Sequence, residues 1–481
     1  MDIPKLRPID PNKPRKPKIL LLSDDLRLHS GIGTMSNSFV KNTIHKYDWI
    51  QVGGAVNHPD AGKLMDVSED LANQTGVTDA SCVIYPVSGY GNPDLVRNIL
   101  ANYQIDAILH FTDPRFWDWL YHMEHELRQR IPIMYYNIWD DLPFPHWNEN
   151  AYESCDLIMA ISKQTYNINK HVCQRKPRIE GKDLTYVQHG IDEDIYKPLD
   201  STDSEYLEMK QQVLGDKEYD FIAYFNSRNI RRKSPSDLIL GYRMFCDMLT
   251  KEEAEKCCLL FHTDPVDPNG TDLPAVVHNL CRSYDVIFSN QKIPNTKLNC
   301  LYNMSDVTCN PSSAEGFGLS HMESLMAGTP TIATVVGGLQ DQMGFKINGE
   351  EFNVKHLTGD IPSNSTGELS TEHGEWTLPL WPQLNVQGSP STPYIYDSRP
   401  SVNQIANQLK VWYDMGREER KRRGMSGRNW AIKNKFTAKG MAEAMSESID
   451  NCLKSFEKRK RFTIIDPQQP MPKYKEGVLL R

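Results

Sequence analysis

Short apolar runs recur along the chain, and helix-sized stretches separate many of them. The first run, at 18–23, is continuous and ends in a turn, as expected for a parallel strand that is covered on both faces. Similar runs follow in the first 200 residues at 49–52, 82–87, 106–111, 131–136, 156–162 and 185–189. Strands that alternate with helices predict a doubly wound α/β sheet.

The pattern restarts after a polar stretch at 192–219, which indicates a second domain of the same class. Its strand-like runs lie at 221–227, 258–262, 285–289, 306–310 and 331–335, with helical patterns such as 237–249 between them. We therefore predict two Rossmann-like α/β domains that face each other across a cleft. The predicted parts are a tail (1–17), an N-terminal domain (18–200), a connection (201–218), a C-terminal domain (219–435), and a final helix and tail (436–481).

One segment interrupts the second series. Residues 340–400 are rich in Gly, Pro, Ser and Thr, show weak periodicity and are too numerous for an ordinary connection. The sequence favours an insertion or a mobile lid there and assigns it no regular structure. Helical patterns then return at 402–415, 418–434 and 438–457.

Composition narrows the class of protein. With 39% hydrophobic and 24% charged residues, the chain is typical of a globular protein rather than a disordered or fibrous one. No apolar run approaches the ~20 residues that cross a bilayer, and the N-terminus lacks the apolar centre of a secretory signal. We expect a cytoplasmic location. The ten cysteines show no metal-ligand spacing and are interpreted as reduced core thiols.

Charge is unevenly distributed. The net charge is −8, yet residues 401–481 carry 18 Lys and Arg against 9 Asp and Glu. Clusters at 421–423 and 458–461, together with Arg428, can meet a DNA backbone or an anionic membrane surface. Solvated charge that complements an acidic body is the simpler interpretation of each cluster.

The segment 306–330 reads as a strand, a glycine loop and a helix. Gly316 and Gly318 allow a sharp turn, and the unpaired amides that open the helix favour an anionic ligand. A helical wheel from Leu319 puts Glu323 inside the buried arc and Ser324 outside it. A carboxylate on that arc needs donors, which a vicinal diol supplies in bidentate form. Glu315 precedes the helix and is expected to point toward whatever the helix end binds.

Four cations crowd one strand-to-helix turn: Arg228, Arg231, Arg232 and Lys233. Such a cluster repels itself unless an anion neutralises it, and a diphosphate leaving group needs that compensation as its charge grows. Arg231 and Arg232 are expected to be solvated surface charges.

The element from Glu315 to Glu323, with the Ala-Gly-Thr-Pro that ends at Pro330 and the pair Gly337-Gly338, resembles the retaining GT-B glycosyltransferases of family 4, the glycosyl transferases group 1. The resemblance implies that a sugar is transferred from a nucleoside-diphosphate sugar with retention of its anomeric configuration, without a metal or other cofactor. The donor is expected to be a UDP-sugar, because such donors are frequent in the family. It assigns Glu323 to the ribose, Glu315 to the donor sugar, and Arg228 and Lys233 to the diphosphate. The sugar and the diphosphate would lie along the backbone of Gly316, Phe317, Gly318 and Leu319.

The N-terminal domain supplies weaker candidates. Gly31 and Gly33 match the family's glycine loop, which reaches toward the donor phosphates or the acceptor. His110 ends a strand, where α/β sheets bind ligands, and is a candidate catalytic residue. Many relatives carry His at the end of the next strand; here Asn137 or Asp140 would contact the sugar instead. The segment 187–192 is assigned first to interdomain architecture.

Three alternatives remain at this stage. They are a viral-type transferase that acts on hydroxymethylated DNA bases, a nucleotide-sugar 2-epimerase, and a non-catalytic sugar-nucleotide binding protein. The sequence does not identify the acceptor.

Overall fold

The computed structural model describes residues 14–174, 177–357, 372–389 and 392–460. Its first sheet has eight strands in the order β3-β4-β2-β1-β5-β6-β7-β8, all parallel except the short edge strand β3. The strands are β1 (Lys18–Asp24), β2 (Asp48–Ala55), β3 (Met65–Asp66), β4 (Cys82–Ser88), β5 (Ala107–Phe111), β6 (Ile133–Asn137), β7 (Leu157–Ala160) and β8 (Leu184–Tyr186).

Helices connect these strands and cover both faces of the sheet, which leaves the strands buried as the continuous apolar runs require. They are α1 (Gly31–Thr43), α2 (Ser68–Thr75), α3 (Pro93–Asn102), α4 (Asp118–His122), α5 (Glu124–Leu127), α6 (Glu149–Glu153) and α7 (Lys163–Val172), with 3₁₀ turns at Pro114–Trp117 and His146–Asn148.

The second sheet is parallel throughout, in the order β11-β10-β9-β12-β13-β16. Its strands are β9 (Phe221–Asn226), β10 (Cys257–His262), β11 (Asp285–Ser289), β12 (Val307–Asn310), β13 (Thr331–Thr334) and β16 (Thr377–Leu380). The helices of this half are α8 (Ser204–Leu214), α9 (Pro235–Cys246), α10 (Lys251–Ala254), α11 (Leu273–Leu280), α12 (Asn295–Met304), α13 (Leu319–Ala327), α14 (Val402–Asp414), α15 (Arg417–Lys433) and α16 (Ala438–Ser455).

The predicted fold class is confirmed, and each of the twelve predicted strands has a counterpart. The segment 340–400 departs from the prediction because it contains regular structure. It supplies the edge strand β16, a small hairpin of β14 (Lys346–Ile347) and β15 (Glu350–Glu351), and a longer hairpin of β17 (Gln383–Ser389) and β18 (Thr392–Arg399). Turns of 3₁₀ helix occupy Gly337–Gln342 and Val354–His356, while 358–371 and 390–391 lie outside the described residues.

The chain crosses between the two halves at 187–192 and again at the start of α16. Ile191 forms a parallel bridge with Thr437, and α16 then packs against α1 and β7 of the first half. Gly190 is needed at this crossing because a Cβ there would lie 2.0 Å from the Thr437 carbonyl oxygen. The side chain of Tyr47 ties the far end of α16 down by donating to Asp450 at 2.7 Å.

All ten cysteines are free and buried, which agrees with the prediction of core thiols. None of the helices described in the structure is long and apolar enough to cross a membrane. Much of the basic C-terminal charge is paired within the molecule: Arg422 and Arg423 with Glu419, and Arg459 with Glu124. Arg428 turns inward to backbone carbonyls. Binding to DNA or to an anionic membrane stays a prediction.

Candidate active site

A cavity of about 1180 Å³ opens between the carboxyl ends of the two sheets, and residues of both halves line it. Carboxyl ends of parallel strands are the usual ligand sites of α/β sheets, since loops and helix N-termini meet there. We call this cavity the cleft.

The cationic turn follows β9 on one wall of the cleft. Residues Arg231–Lys233 form a 3₁₀ turn, and Ser234 takes a left-handed conformation with φ of 51° before Pro235 opens α9. This turn directs Lys233 onto the Glu315 carboxylate, with which it forms a salt bridge. Arg232 donates to the Ala314 carbonyl at 2.6 Å and lies 3.4 Å from the same carboxylate.

This contact joins two signals that lie 82 residues apart in the sequence. Burial favours the neutral form of Glu315, but Lys233 and Arg232 outweigh it and hold the pKa of that carboxyl at about 2. Burial, and next repulsion from Arg232, lower the pKa of Lys233 to about 8 although Glu315 opposes the shift. Arg232 lines the cleft and contacts this pair, and 45% of its side-chain surface is exposed, so it is a solvated charge that also belongs to the cleft.

Arg228 lies on the same wall, nearer to solvent. Its side chain is 62% exposed, and its Nε donates to Asp267 at 2.7 Å. The cleft lining includes Arg228, Arg232 and Lys233, so three of the four predicted cations converge on it.

The glycine loop brings the amides of α13 to the cleft. Gly318 is the N-cap with φ of 90°, and no side chain caps the first amides of the helix. The loop rests on the Gly337-Gly338 pair. A Cβ added to Gly337 would lie 1.9 Å from the Glu315 carbonyl oxygen, and one added to Gly338 would lie 2.4 Å from the Gly316 carbonyl oxygen. The close backbone approach explains the glycine pair and fixes the loop that carries Glu315.

Glu323 faces the cleft from the second turn of α13. Tyr302 Oη donates to its Oε2 at 2.6 Å, a second hydrogen bond comes from Tyr196, and Asn226 Nδ2 donates to Tyr302 at 2.8 Å. Burial raises the pKa of the Glu323 carboxyl, and the tyrosine hydroxyls oppose that shift. The helical wheel was wrong about Ser324, which is buried and donates to Thr308 at 2.8 Å.

Comparison with known proteins finds a family match and several relatives. Residues 277–355 match the family Glycosyl transferases group 1. The D-inositol 3-phosphate glycosyltransferase of Corynebacterium aurimucosum is 28% identical over 233 residues, which are 46% of this chain and 52% of that protein. The N-acetyl-alpha-D-glucosaminyl L-malate synthase of Bacillus anthracis is 27% identical over 56% of this chain and 62% of its own. The chain thus spans about half the length of the first of these relatives.

Solved structures extend the likeness to nearly the whole chain. Sucrose-phosphate synthase from Thermosynechococcus elongatus superposes with a TM-score of 0.64 at 14% identity, covering 92% of this chain and 100% of that one. HepE from Anabaena, solved in complex with UDP-glucose, gives a TM-score of 0.60 at 14% identity, with coverages of 90% and 99%. The chain has the GT-B fold. With the group 1 match in its second half, the predicted family resemblance is confirmed.

In GT-B terms, the N-terminal domain provides the opposite wall of the cleft. Gly31 lies on this wall and faces α13, since a Cβ on it would lie 3.6 Å from Leu319 Cδ1. Gly33 does not line the cleft. A Cβ at Gly33 would lie 2.6 Å from the Leu28 carbonyl oxygen and 2.8 Å from that of Asp25, so this glycine serves the packing of the loop.

The structure moves His110 away from the site. Its side chain is buried in the core, stacks on Tyr135 with ring centroids 4.9 Å apart, and bonds to Tyr121 Oη through Nδ1 at 2.6 Å. Burial lowers the pKa of His110 to about 3, which keeps the imidazole neutral. The next residue, Phe111, lines the cleft instead, because successive side chains of a strand point to opposite faces.

Of the two proposed sugar contacts after β6, one lies in the cleft. Asn137 is fully buried; its Oδ1 accepts from the Trp139 amide at 2.9 Å and its Nδ2 donates to Asn169 at 2.5 Å, so it shapes the turn. Asp140 lines the cleft. Burial raises the pKa of Asp140, while Arg232 acts in the opposite direction.

Sequence reasoning ranked one cleft residue too low and missed a whole element. His189, assigned first to interdomain architecture and second to the site, lines the cleft; its Nδ1 lies 2.8 Å from Tyr136 Oη and its ring 5.2 Å from that of Phe317. The hairpin of β17 and β18 also reaches the cleft, and no motif in 340–400 indicated this. Within the described ranges, no cluster of three or more His, Cys, Asp or Glu has the arrangement of a metal site.

Proposed function

We propose that the protein is a retaining glycosyltransferase that moves a sugar from a UDP-sugar to an acceptor hydroxyl. One observation carries the proposal: the salt bridge between Lys233 and Glu315 joins the cationic turn to the wall that also presents Glu323 and the α13 amides. A sugar nucleotide carries a ribose diol, a diphosphate and a sugar, in that order along the molecule, and this wall offers a partner to each.

The ribose is assigned to Glu323. A carboxylate already held by two phenol hydroxyls is suited to accept further O–H donors, and the hydroxyls of a ribose form such a bidentate pair. The diphosphate is assigned to Lys233, Arg228 and the amides that open α13, where a helix N-terminus favours negative charge. Uridine is proposed as the base because HepE, which shares the fold, is described with UDP-glucose.

In the proposed reaction, the bond between the anomeric carbon and the diphosphate oxygen breaks, and negative charge grows on the leaving group. Lys233 and Arg228 stabilise that charge. The acceptor hydroxyl forms the new bond on the same face of the sugar, and a departing phosphate oxygen takes its proton. Glu315 is a poor nucleophile, since two cations and Ser312 already occupy its oxygens.

A panel of UDP-, GDP- and ADP-sugars tests the proposal by release of nucleoside diphosphate. We expect release from a UDP-sugar, and a loss of about 100-fold or more in kcat for Lys233→Met because leaving-group stabilisation is removed. Lys251→Met, at an exposed position in α10, serves as the matched control and keeps full activity.

Two outcomes would reject this function, and a third would reject its site. Donor binding without release would indicate a non-catalytic binding protein. A product that stays linked to UDP with inverted C2 would indicate an epimerase. Full activity of Lys233→Met would remove the site assignment.

A further inference from the structure

A β-hairpin of the C-terminal half crosses the cleft and rests on the N-terminal domain. It comprises β17 and β18, which follow β16 but, among the described strands, pair with each other alone. The Tyr396 amide donates to the Leu142 carbonyl at 2.8 Å, and the ring of Tyr394 meets that of Trp147 edge-on at 5.2 Å. The hairpin therefore belongs to the C-terminal half by sequence, but its contacts attach it to the N-terminal domain.

The hairpin presents an uncharged surface to the cleft. Its register places Gln387 opposite Ile395 and Ser389 opposite Thr392, and all four of these residues line the cavity. Gly388 lies where the register shifts, and a Cβ there would lie 2.3 Å from the Pro393 carbonyl oxygen. The cleft surface of the hairpin thus offers an amide, two hydroxyls and one apolar side chain.

The N-terminal wall beside the hairpin holds a cation that is already neutralised. Asp113 accepts from Arg115 Nε at 3.0 Å and from its Nη2 at 2.5 Å. The same guanidinium donates to the Thr392 hydroxyl and lies 5.1 Å from the Trp139 ring. Asp113 therefore offsets part of this positive charge within the wall.

Two further carboxyl groups, Asp140 and Asp141, line the cleft on this side. Burial, and next the neighbouring Asp140, raise the pKa of Asp141 well above its ordinary value, while Arg232 and Arg115 oppose that shift. Carboxyl oxygens accept hydrogen bonds from sugar hydroxyls. A phosphate or carboxylate would instead meet acidic groups, which repel it or must stay protonated beside it.

We propose that the hairpin forms the acceptor wall of the cleft and selects an uncharged polyhydroxylated acceptor, a sugar or polyol, over a phosphorylated or carboxylated one. Gln387 and Thr392 are its specificity-determining residues. This inference rests on the proposed function, because it names the acceptor class of the same transfer. Of the cations that line the opposite wall, Arg228 and Lys233 are assigned to the donor diphosphate, and Arg232 contacts Glu315.

An acceptor panel with the full chain and its active UDP-sugar tests the substrate class. Glucose, maltose and myo-inositol are compared with glucose 6-phosphate, maltose 1-phosphate, inositol 1-phosphate and glucuronate. We expect kcat/KM to be about 10-fold or more higher for the neutral compounds, because like charges meet when an anion enters. A preference for the charged compounds, or no transfer to any neutral one above hydrolysis, would overturn the inference.

Variants of the hairpin test the residue assignment. Gln387→Lys places a cation on the acceptor wall and is expected to raise the ratio of kcat/KM for glucose 6-phosphate over glucose by about 10-fold, while UDP affinity in calorimetry stays unchanged. Gln383→Lys is the matched control, since Gln383 is an exposed residue of the same strand outside the cleft lining.

The two proposals fail in different ways. If the wild type releases no UDP from any UDP-sugar, the proposed function is wrong. If the wild type transfers sugar but Gln387→Lys and Gln383→Lys keep the same acceptor preference, the hairpin assignment alone is wrong.

Discussion

Glu323 holds its carboxylate between the hydroxyls of two tyrosines, one of them Tyr302 at 2.6 Å, at the edge of the cleft. We predict that Glu323→Gln weakens UDP binding by roughly 10- to 100-fold, because a hydrogen bond to a charged group contributes about 1.5–3 kcal/mol. Calorimetry with UDP and 2′-deoxy-UDP separates the ribose contact from the rest. The wild type should prefer UDP, and the variant should lose that preference.

Glu252→Gln, at an exposed position of α10, is the control for this experiment. If Glu323→Gln keeps the preference for UDP over 2′-deoxy-UDP, the diol is bound elsewhere.

Lys233 predicts a pH dependence. Its pKa of about 8 means that the ammonium is charged below that pH and becomes neutral as the pH rises through it. Since kcat/KM reports ionisations of the free enzyme, it should fall on the alkaline side with an apparent pKa near 8. Lys233→Arg should lose this limb because a guanidinium stays charged. An unchanged limb in Lys233→Arg would assign the ionisation to another group.

The site residues that the sequence identified share one property: a local motif constrained them. Glu315 and Glu323 are fixed by a glycine loop and one helical turn, so their spacing predicts their placement. His110 was misplaced because alternate residues of a strand point to opposite faces of the sheet. Its strand is buried on both faces, so the sequence pattern did not show which face His110 occupies. Lys233 was identified through the family resemblance, whereas Arg232 had no counterpart there and its partner, Glu315, lies 83 residues away.

At the scale of elements, the start of α13 depends on Gly318. Its φ of 90° disfavours other residues, and an added Cβ would lie 2.4 Å from Leu339 Cδ2. We predict that Gly318→Ala destabilises the protein by about 1–3 kcal/mol and weakens UDP binding, because the helix amides shift. Thermal unfolding and calorimetry measure the two effects.

Gly62→Ala is the matched control for this change. Gly62 has a similar φ of 82°, but nothing lies within 4 Å of the added Cβ. It should lose less stability and keep UDP affinity. Equal losses in both variants would mean that backbone strain alone, and not the packing of the loop, explains the effect.

The elements found from sequence were those buried on both faces, whose continuous apolar runs leave a clear signal. The strands missed in 340–400 lack it. β16 is a four-residue edge strand with a proline, and β17 is exposed along its whole length, so neither carries a hydrophobic period. The proposed acceptor wall is the hairpin of β17 and β18, which is why the sequence indicated the proposed donor side of the cleft better than the acceptor side.

At the scale of the whole molecule, the crossing between the domains is packed backbone against backbone. An added Cβ on Gly190 would lie 2.0 Å from the Thr437 oxygen, and neither partner is a flexible side chain. We predict that Gly190→Ala lowers the melting temperature by several degrees, which corresponds to about 1–3 kcal/mol of overpacking. Gly181→Ala adds a Cβ that meets nothing within 4 Å, so it measures only the backbone strain of its φ of 75° and should have a smaller effect. A shift for Gly190→Ala no larger than this would show that the crossing costs no more than such strain.

A crystal structure of the protein with UDP would show whether a carboxylate pair and a cationic turn, far apart in the sequence, bind one sugar nucleotide. We expect the ribose hydroxyls to lie on Glu323 and the diphosphate to lie between Lys233, Arg228 and the amides of α13. UDP bound outside the cleft, or with its diphosphate directed away from Lys233, would contradict this expectation.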